Sequence, residues 1–424
     1  MKYTKIKEEN YNLHVIETKK FKTIMVKVNF KRHLKREEIS MRNMLVNVMF
    51  ESTAKYPSKR LMEIQTEELY ELGYRGSNYA SGVYTVMSFD CVFLNPKYTE
   101  EDMLQKSCEF FKEIIFNPNI DNGGFSEASF DIGYRILKEH IAALKENADV
   151  YSQIRLFEEI EPEGLISYRS CGYAEDLAII DRKTLYEYYL DVLKNDVVDI
   201  FVVGDIKPAE MAEYLQKLFP LKKRNMLSEN HFYNSQFHRE AVNLSTEISE
   251  FSQSKLYLGY KISETTDFEL RYVLNVLNYI LGGNPDSKLF KNVREKNSLC
   301  YTVSSNTQPL VSILLIRAGI DADQYDRACA LILEQIEDIK NGKFEEEDIQ
   351  KAIITYKNSL SELEDNSESI ISLYSGIEYL NSDDIKDRIK KIETVRREDV
   401  IALAHKLSLD TIFFLEGGVA NEEA

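Results

Sequence analysis

The chain has 424 residues, 44% of them hydrophobic, and carries a formal net charge of −17 at pH 7. Because this length exceeds that of one typical domain, we expect two or more domains, each with its own core. Nucleic acid and anionic membranes require a basic surface, so the acidic balance argues against both as partners. The same balance is compatible with neutral or cationic ligands, or with solubility alone.

Two halves of the sequence show the same order of patterns: apolar alternation predicts strands, and apolar residues at helical spacing predict helices. The first half is predicted to contain a strand at 24–30, a helix at 36–50, a strand at 84–94, a helix at 101–116 and a closing strand at 199–206. The second half is predicted to contain a strand at 254–262, a helix at 268–283, a strand at 311–320, a helix from residue 323 onward and a closing strand at 410–418. Matching elements lie roughly 210 to 230 residues apart, which indicates an ancient duplication.

These patterns predict an α+β fold of two homologous domains, each a mostly antiparallel sheet with helices packed on one face. The domains are predicted at residues 1–225 and 246–424. Residues 226–245 lack a regular period, so we interpret them as the linker. His231 and His238 lie in this linker and are expected to be exposed to solvent rather than to bind a metal.

The cysteines are scattered and form no C-x-x-C pair, so we expect buried, reduced thiols at Cys91, Cys108, Cys171, Cys300 and Cys329. The first residues lack the apolar stretch of a signal peptide. No apolar run approaches the roughly 20 residues of a membrane span. We therefore expect a cytoplasmic protein.

The helix predicted at 36–50 carries Asn43, Val46 and Asn47 at a spacing that places them on one face, and it runs into Phe-Glu-Ser-Thr at residues 50–53. An amide oxygen is a poor zinc ligand compared with imidazole. A valine side chain cannot accept a proton. This face is therefore predicted to hold no metal.

A second group of polar residues surrounds the end of another predicted helix. Gly282 and Gly283 either allow close approach by a ligand or form a plain helix cap, and the sequence leaves both readings open. Arg294 and Tyr301 have a separation that suits a helix end followed by a turn into a strand. The less specific readings are an Arg294 paired with a surface carboxylate and a half-buried Tyr301.

Together these residues resemble the pitrilysin/insulinase family of peptidases, the inverzincins, in its small bacterial two-domain form. That family carries H-x-x-E-H on a helix of the first half. The resemblance implies that Asn43 and Asn47 stand where the family has zinc-binding histidines, and that Val46 stands where it has the catalytic glutamate. Glu139 is the best match to the third metal ligand.

In the second half, the resemblance extends over the glycine pair, Ser-Lys-Leu-Phe at 287–290, Arg-Glu-Lys at 294–296 and Tyr301. It implies that Arg294 binds substrate carbonyls, that the Tyr301 hydroxyl stabilises an oxyanion, and that Gly282 and Gly283 approach the substrate. Both side chains are expected to reach a peptide in the cleft of the first half.

These expectations lead to one hypothesis and two alternatives. The hypothesis is a non-catalytic, peptide-binding subunit that supplies Arg294 and Tyr301 to the active site of a zinc-bearing homologous partner in a heterodimer. A homodimer is the alternative form of association. Its ligands are unfolded peptides, it carries no cofactor itself, and zinc is expected on the partner. The alternatives are a peptide-binding or scaffold protein without a proteolytic role and a free-standing zinc peptidase. The strands at 256–261 and 81–94 are predicted to offer edges to an extended peptide.

Overall fold

A computed structural model describes residues 1–221 and 231–418. They form two compact units that are not contiguous along the chain. Unit 1 comprises the described residues of Met1–Ala143, Arg169–His231 and Leu363–Leu380. Unit 2 comprises the described residues of Leu144–Tyr168, Phe232–Glu362 and Asn381–Ala424.

The elements follow one another in an order that mixes strands and helices. The strands are β1 (Lys2–Lys7), β2 (Asn12–Glu17), β3 (Thr23–His33), β4 (Gly73–Ser81), β5 (Tyr84–Leu94), β6 (Ile120–Asp121), β7 (Gly124–Phe125), β8 (Val197–Gly204), β9 (Asn243–Ile248), β10 (Ser254–Ile262), β11 (Thr302–Gln308), β12 (Ile313–Ile320) and β13 (Leu407–Glu416). The helices are α1 (Arg36–Met49), α2 (Lys59–Glu68), α3 (Met103–Phe116), α4 (Glu127–Ala143), α5 (Ala148–Ile160), α6 (Arg182–Asn195), α7 (Pro208–Leu218), α8 (Leu274–Leu281), α9 (Tyr325–Lys340), α10 (Glu346–Glu362), α11 (Ser367–Leu380), α12 (Ile385–Ile392) and α13 (Arg397–His405). Two π-helical segments, Glu269–Val273 and Phe290–Lys296, precede α8 and β11.

Each unit is organised around one sheet of mostly antiparallel strands. The six-stranded sheet of unit 1 has the order β1-β2-β8-β3-β5-β4, and the five-stranded sheet of unit 2 has the order β11-β12-β10-β13-β9. Each sheet contains one parallel pair, β2 with β8 and β9 with β13. The predicted two-domain α+β class, with mostly antiparallel sheets, is confirmed.

Each sheet also has a helix on its second face, supplied by the opposite half of the sequence. In unit 1, α11 buries Ile370 and Ile371 in a cluster with Met25 and Phe201 of the sheet. Helices were predicted on one face of each sheet, and the structure has one further helix on the opposite face of each sheet. The domain boundaries predicted at residues 225 and 246 did not include this exchange. These boundaries stay a prediction, because residues 222–230 lie outside the described residues.

The same exchange occurs in unit 2, where α5 packs on the sheet. Its Leu156 and Ile160 cluster with Tyr257 and Phe413. A Cβ added to Gly259 of β10 would lie 2.5 Å from Ile160 Cδ1, so the helix contacts the strand backbone directly. Because α5 and α11 occupy corresponding places in the two halves, their exchange agrees with the duplication inferred from the sequence.

Most element boundaries predicted from the sequence agree with the structure to within a few residues. The helix predicted at 36–50 is α1, and the strand predicted at 84–94 is β5 with the same bounds. The predicted linker contains the start of β9 at Asn243. All five cysteines are buried and free, as predicted.

Two predictions are wrong. His231 is fully buried, because its Nδ1 lies 2.8 Å from Ser81 Oγ and its ring stacks on Tyr379, whereas His238 is exposed as expected. The peptide-binding edges predicted at 256–261 and 81–94 correspond mainly to β10 and β5, which are interior strands because each is paired on both sides. None of the helices in the described part of the chain combines the length and apolarity needed to cross a bilayer.

Candidate functional site

Helix α1 is fixed to unit 1 by a buried ion pair. Arg42 Nη2 lies 2.9 Å from Asp196 Oδ2 and 2.9 Å from the carbonyl oxygen of Phe30, and both charged side chains are fully buried. Acidic Glu37 and Glu38 in the first turn favour the positive end of the helix dipole. Loss of either partner of a buried ion pair is strongly destabilising, because the remaining charge stays buried without compensation. Arg42 therefore holds α1, and the face beside Arg42, in a defined position.

Asn43, the first of the predicted degenerate metal positions, is engaged in hydrogen bonds. Its side-chain amide donates to the carbonyl oxygen of Ile39 at 2.9 Å and to that of Ser170 at 2.9 Å. The second bond attaches the chain segment at residue 170 to α1. Both hydrogen bonds of the amide are thus made to backbone carbonyl groups of the same unit.

Val46 and Asn47 complete this face of α1. Val46 is 7% exposed, and a Cβ added to Gly76 of β4 would lie 2.9 Å from its Cγ1 and closer still to the ring of Phe50. Val46 is therefore a packing residue against the edge strand β4. Asn47 is half-buried. The face supplies an apolar side chain and two neutral amides.

The residues at this face do not fit a zinc ion. Zinc in proteins is bound by thiolate, imidazole or carboxylate groups, and this face has none. Glu139, predicted as the third ligand position, is exposed on α4. That helix packs on α1 through Gly133, where an added Cβ would lie 2.6 Å from Val48 Cγ2. In the described residues no group of three or more His, Cys, Asp or Glu side chains is placed to hold a metal.

Arg294 and Tyr301 lie on either side of a tight turn in unit 2. The π-helical segment Phe290–Lys296 is followed at Ser298 by a left-handed residue with a φ of 52°, whose N–H donates to the carbonyl oxygen of Arg294 at 3.0 Å. The N–H of Tyr301 donates to Gly319 at 2.9 Å, and β11 begins one residue later. The predicted path, a helix end followed by a turn into a strand, is what the structure shows.

Both side chains of this turn point outward. The Arg294 side chain is exposed, with its guanidinium 4.6 Å from the centre of the Phe290 ring, and Tyr301 is 60% exposed. Among the described residues, neither the guanidinium nor the hydroxyl has a hydrogen bond or an ion pair. The less specific readings, a surface ion pair for Arg294 and a half-buried Tyr301, are not what the structure shows.

Gly282 and Gly283 end α8 and lie close to other backbone atoms. Both N–H groups donate to the carbonyl oxygen of Asn278, at 3.0 and 2.8 Å. A Cβ on Gly282 would lie 2.6 Å from the backbone nitrogen of Ser305. Packing and capping therefore account for both glycines, and contact with a substrate stays a prediction.

Sequence reasoning missed a polar cluster that α11 covers on the sheet of unit 1. Asp199 Oδ1 accepts a hydrogen bond from Asn12 at 2.7 Å and lies 3.4 Å from His14 Nε2. Burial opposes ionisation, but the His14 hydrogen bond and the Lys31 charge hold the pKa of Asp199 below its usual range. Burial lowers the pKa of His231 to about 4. The feature of the sequence that could have revealed this cluster is the alternation of polar and apolar residues within β2 and β3.

The fold is similar to that of M16-like peptidases, and the predicted metal-site face of α1 has none of the usual zinc-binding side chains. Residues 180–356 match the model of the Peptidase M16 inactive domain. The resemblance to the pitrilysin/insulinase peptidases predicted from the motifs is confirmed. This match includes Arg294 and Tyr301 but not α1, which lies before it. The conclusion that α1 lacks metal ligands therefore depends on the residue types of α1 and not on the match.

Particular relatives extend the likeness over the whole chain. A Bacillus subtilis (strain 168) protein described as "Probable inactive metalloprotease YmfF" is 28% identical over 418 residues, which covers 97% of each chain. "Uncharacterized zinc protease YmxG" of the same organism is 27% identical over 281 residues, 62% of this chain and 67% of its own. The crystal structure of a conserved protein from Enterococcus faecalis V583 has a TM-score of 0.93 and 29% identity, and covers 99% of this chain and 100% of its own. The inactive-domain match and the first relative support a non-catalytic M16-like protein.

Proposed function

We propose that this chain is a non-catalytic, peptide-binding subunit of a zinc-dependent endopeptidase and that it supplies Arg294 and Tyr301 to a zinc-bearing homologous partner. The observation that carries this proposal is a contrast within the chain. The predicted metal-site face of α1 is closed by Val46 and by the Asn43–Ser170 hydrogen bond, whereas the polar ends of Arg294 and Tyr301 are exposed. Among the described residues these two polar ends have no hydrogen bond or ion pair, and the Arg294 guanidinium contacts the Phe290 ring.

The chemistry of the two exposed side chains fits peptide hydrolysis in a partner's site. A guanidinium presents several N–H donors in a fixed plane and so orients a peptide carbonyl. A tyrosine hydroxyl aimed at the same carbonyl donates to the oxygen as it gains negative charge, and such a donor lowers the barrier in a site that excludes water. Zinc held by the partner's own residues would supply the activated water. This chain supplies orientation and charge stabilisation.

Peptide binding has strand edges available in both units. Within the described residues, β4 ends the sheet of unit 1, and β11, which begins next to Tyr301, ends the sheet of unit 2. The edge of β11 is open only in part, because the N–H of Ser305 in its middle donates to the carbonyl oxygen of Gly282 at 3.1 Å. An extended peptide pairs with such an edge through backbone groups alone, so this mode of binding accepts unfolded chains of varied sequence. The proposal places the protein in the cytoplasm, where its five buried thiols stay reduced.

The test is reconstitution with the zinc-bearing homologue obtained by co-purification. Hydrolysis of a fluorogenic peptide is measured for this chain, for the partner and for the mixture. We expect activity above that of the partner only in the mixture, and a loss of about 100-fold in kcat with Tyr301→Phe. Tyr98, 58% exposed in unit 1, gives the matched control Tyr98→Phe, which should leave the activity unchanged.

The same assay separates the alternatives. Equal activity of the partner with and without this chain would defeat the proposal. If the chain then still binds peptides, it is a peptide-binding protein without a proteolytic role. Hydrolysis by this chain alone, abolished by a zinc chelator, would identify a free-standing peptidase.

A further inference from the structure

Strand β9 leaves one edge of the sheet of unit 2 open. Within the described residues, β9 pairs with β13 in parallel and with no other strand. The corresponding strand of unit 1, β2, is also parallel to its neighbour β8, but it has the antiparallel strand β1 on its outer side. The two sheets thus differ at this position: one edge is covered by a six-residue strand, and the other has no strand beside it in residues 1–221 and 231–418.

The open edge carries exposed apolar side chains. Leu244 and Ile248 are 68% and 75% exposed, and Thr246 lies between them on the same face. Across the parallel pair they stand beside β13, whose Ile412 and Phe414 are buried. The apolar surface of the core therefore continues outward to the end of the sheet.

The other face of β9 is fixed by α5. Asn243 donates to Glu159 at 2.9 Å, and Glu247 accepts from the Tyr151 hydroxyl at 2.7 Å and from Arg155 at 2.6 Å. Glu247 is the one charged residue of this strand, and Arg155 compensates its charge. The strand is thus held in position with an uncharged, apolar outer face.

The edges differ in their protection against pairing with another chain. Lysines at the edge of a sheet oppose such pairing, and β1 carries Lys2, Lys5 and Lys7. Strand β4 carries Arg75, and the large apolar residue of β11, Val303, is buried. Strand β9 has no basic residue and exposes two large aliphatic side chains, so it is the edge best suited to accept another strand.

The backbone of β9 presents its free hydrogen-bonding groups at regular positions. The N–H of Ser249 donates to Glu416 of the neighbouring segment at 2.7 Å. Because peptide groups alternate in direction along a strand, those of Leu244, Thr246 and Ile248 point to the open side. The same three residues thus offer both the outward peptide groups and the exposed face.

We infer that β9 pairs with β9 of a second copy of this chain, antiparallel and centred on Thr246. In this register Thr246 faces Thr246, and each Leu244 faces an Ile248 of the other copy. On the opposite face Glu247 faces Ser245, so no like charges meet. The pair closes about six backbone hydrogen bonds. Both threonine pairs and aliphatic pairs stabilise neighbouring strands.

The contact does not depend on the proposed catalytic role. Tyr301 precedes β11, at the opposite end of the same sheet from β9. A single pair of six-residue strands buries less than the roughly 1,600 Å² of a standard stable interface. We therefore expect a reversible dimer with a Kd in the micromolar range.

The first test is a disulfide across the symmetry axis. Residues that face each other in a hydrogen-bonded antiparallel pair have Cα atoms about 5.5 Å apart, which a disulfide spans. The full-length Thr246→Cys variant should form a dimer under mild oxidation, against a low background because the native cysteines are buried. Thr302→Cys, an exposed threonine on the edge strand β11, is the matched control and should remain monomeric.

The second test uses charge to read the register, with sedimentation velocity from 1 to about 300 µM, a range set by the expected affinity. The double variant Leu244→Lys and Ile248→Lys places lysines opposite each other and should be monomeric throughout. The double variant Leu244→Lys and Ile248→Glu places opposite charges across the pair and should dimerise. Far-UV circular dichroism confirms that each variant is folded.

The outcomes decide between the contact and its alternatives. A wild-type chain that stays monomeric over this range, with Thr246→Cys failing to cross-link, overturns the inference. A dimer that survives in the double-lysine variant shows that another surface is used. Loss of the dimer in both charged variants contradicts the register centred on Thr246.

Discussion

Asn43 donates its side-chain amide to the backbone carbonyl of Ser170 at 2.9 Å, so the first of the predicted degenerate metal positions on α1 holds a segment of its own unit in place. Val46, on the same face, packs close to Gly76 of β4. Both side chains therefore contribute to the stability of unit 1.

Asn43→Ala should lower the free energy of unfolding by about 1 kcal/mol, because two hydrogen bonds from the amide to backbone carbonyls are lost. Urea denaturation followed by circular dichroism measures the change. Asn47→Ala, on the same face, removes no comparable bond to any described residue and should change it by less than about 0.5 kcal/mol. Equal effects of the two substitutions would show that the Ser170 contact contributes nothing.

Gly76→Ala should destabilise unit 1 by about 1 to 3 kcal/mol, because the added methyl group would overlap the ring of Phe50 and the Val46 side chain. Gly73→Ala on the same strand is the control, since its nearest neighbouring atom would be 3.9 Å away. Thermal unfolding of both variants distinguishes them. A Gly76→Ala protein as stable as the control would mean that α1 does not pack tightly on β4.

His231 should make the protein less stable as the pH falls. Its pKa is lowered to about 4, chiefly by burial and also by the nearby Lys31 charge, while the Asp199 charge opposes the shift. The unfolded chain, with an ordinary histidine pKa near 6.5, binds a proton first, so stability falls as the pH decreases from about 6.5 to about 4. The contribution of this one group reaches about 3 kcal/mol at the acidic end.

The measurement for His231 is the free energy of unfolding at several pH values between these limits. His231→Phe should flatten the pH dependence and retain the stacking on Tyr379. His140→Phe, at an exposed position of α4, is the control and should leave the slope as in the wild type. An unchanged slope in His231→Phe would contradict the buried, neutral imidazole.

Leu156→Ala should weaken unit 2, although residue 156 lies in the first half of the sequence. Leu156 is fully buried in the cluster that joins α5 to β10 and β13, and its truncation leaves a cavity worth about 3 kcal/mol. Hydrogen exchange should increase in β10 and β13 and stay unchanged in β3 and β8. Leu190→Ala, 47% exposed on α6, is the control. Loss of protection in β3 instead would contradict the exchange of helices.

The sequence predicted the elements better than their arrangement. Periodicity located α1 and β5 because each buries a regular face. The same periodicity shows that α5 and α11 bury a stripe, but not which sheet covers it, so their exchange could not be predicted. For the same reason an apolar strand such as β10 could not be recognised as an interior strand.

The site shows the same limit. Asn43, Val46 and Asn47 could be identified because missing ligand chemistry is visible in residue types alone. The burial of His231 could not, because its polar neighbours in sequence indicate a linker, whereas Ser81 and Tyr379 contact it from distant parts of the chain. Long-range contacts decide the environment of a residue, and a single sequence does not contain them.

The central claim, that the α1 face of this chain holds no catalytic metal, is tested most directly by the zinc content of the purified protein. The protein is incubated with excess zinc, dialysed and analysed by inductively coupled plasma mass spectrometry, alongside the Asn43→Ala and Asn47→Ala variants. We expect far less than one zinc per chain in all three proteins. One zinc per wild-type chain, lost in both variants, would contradict it.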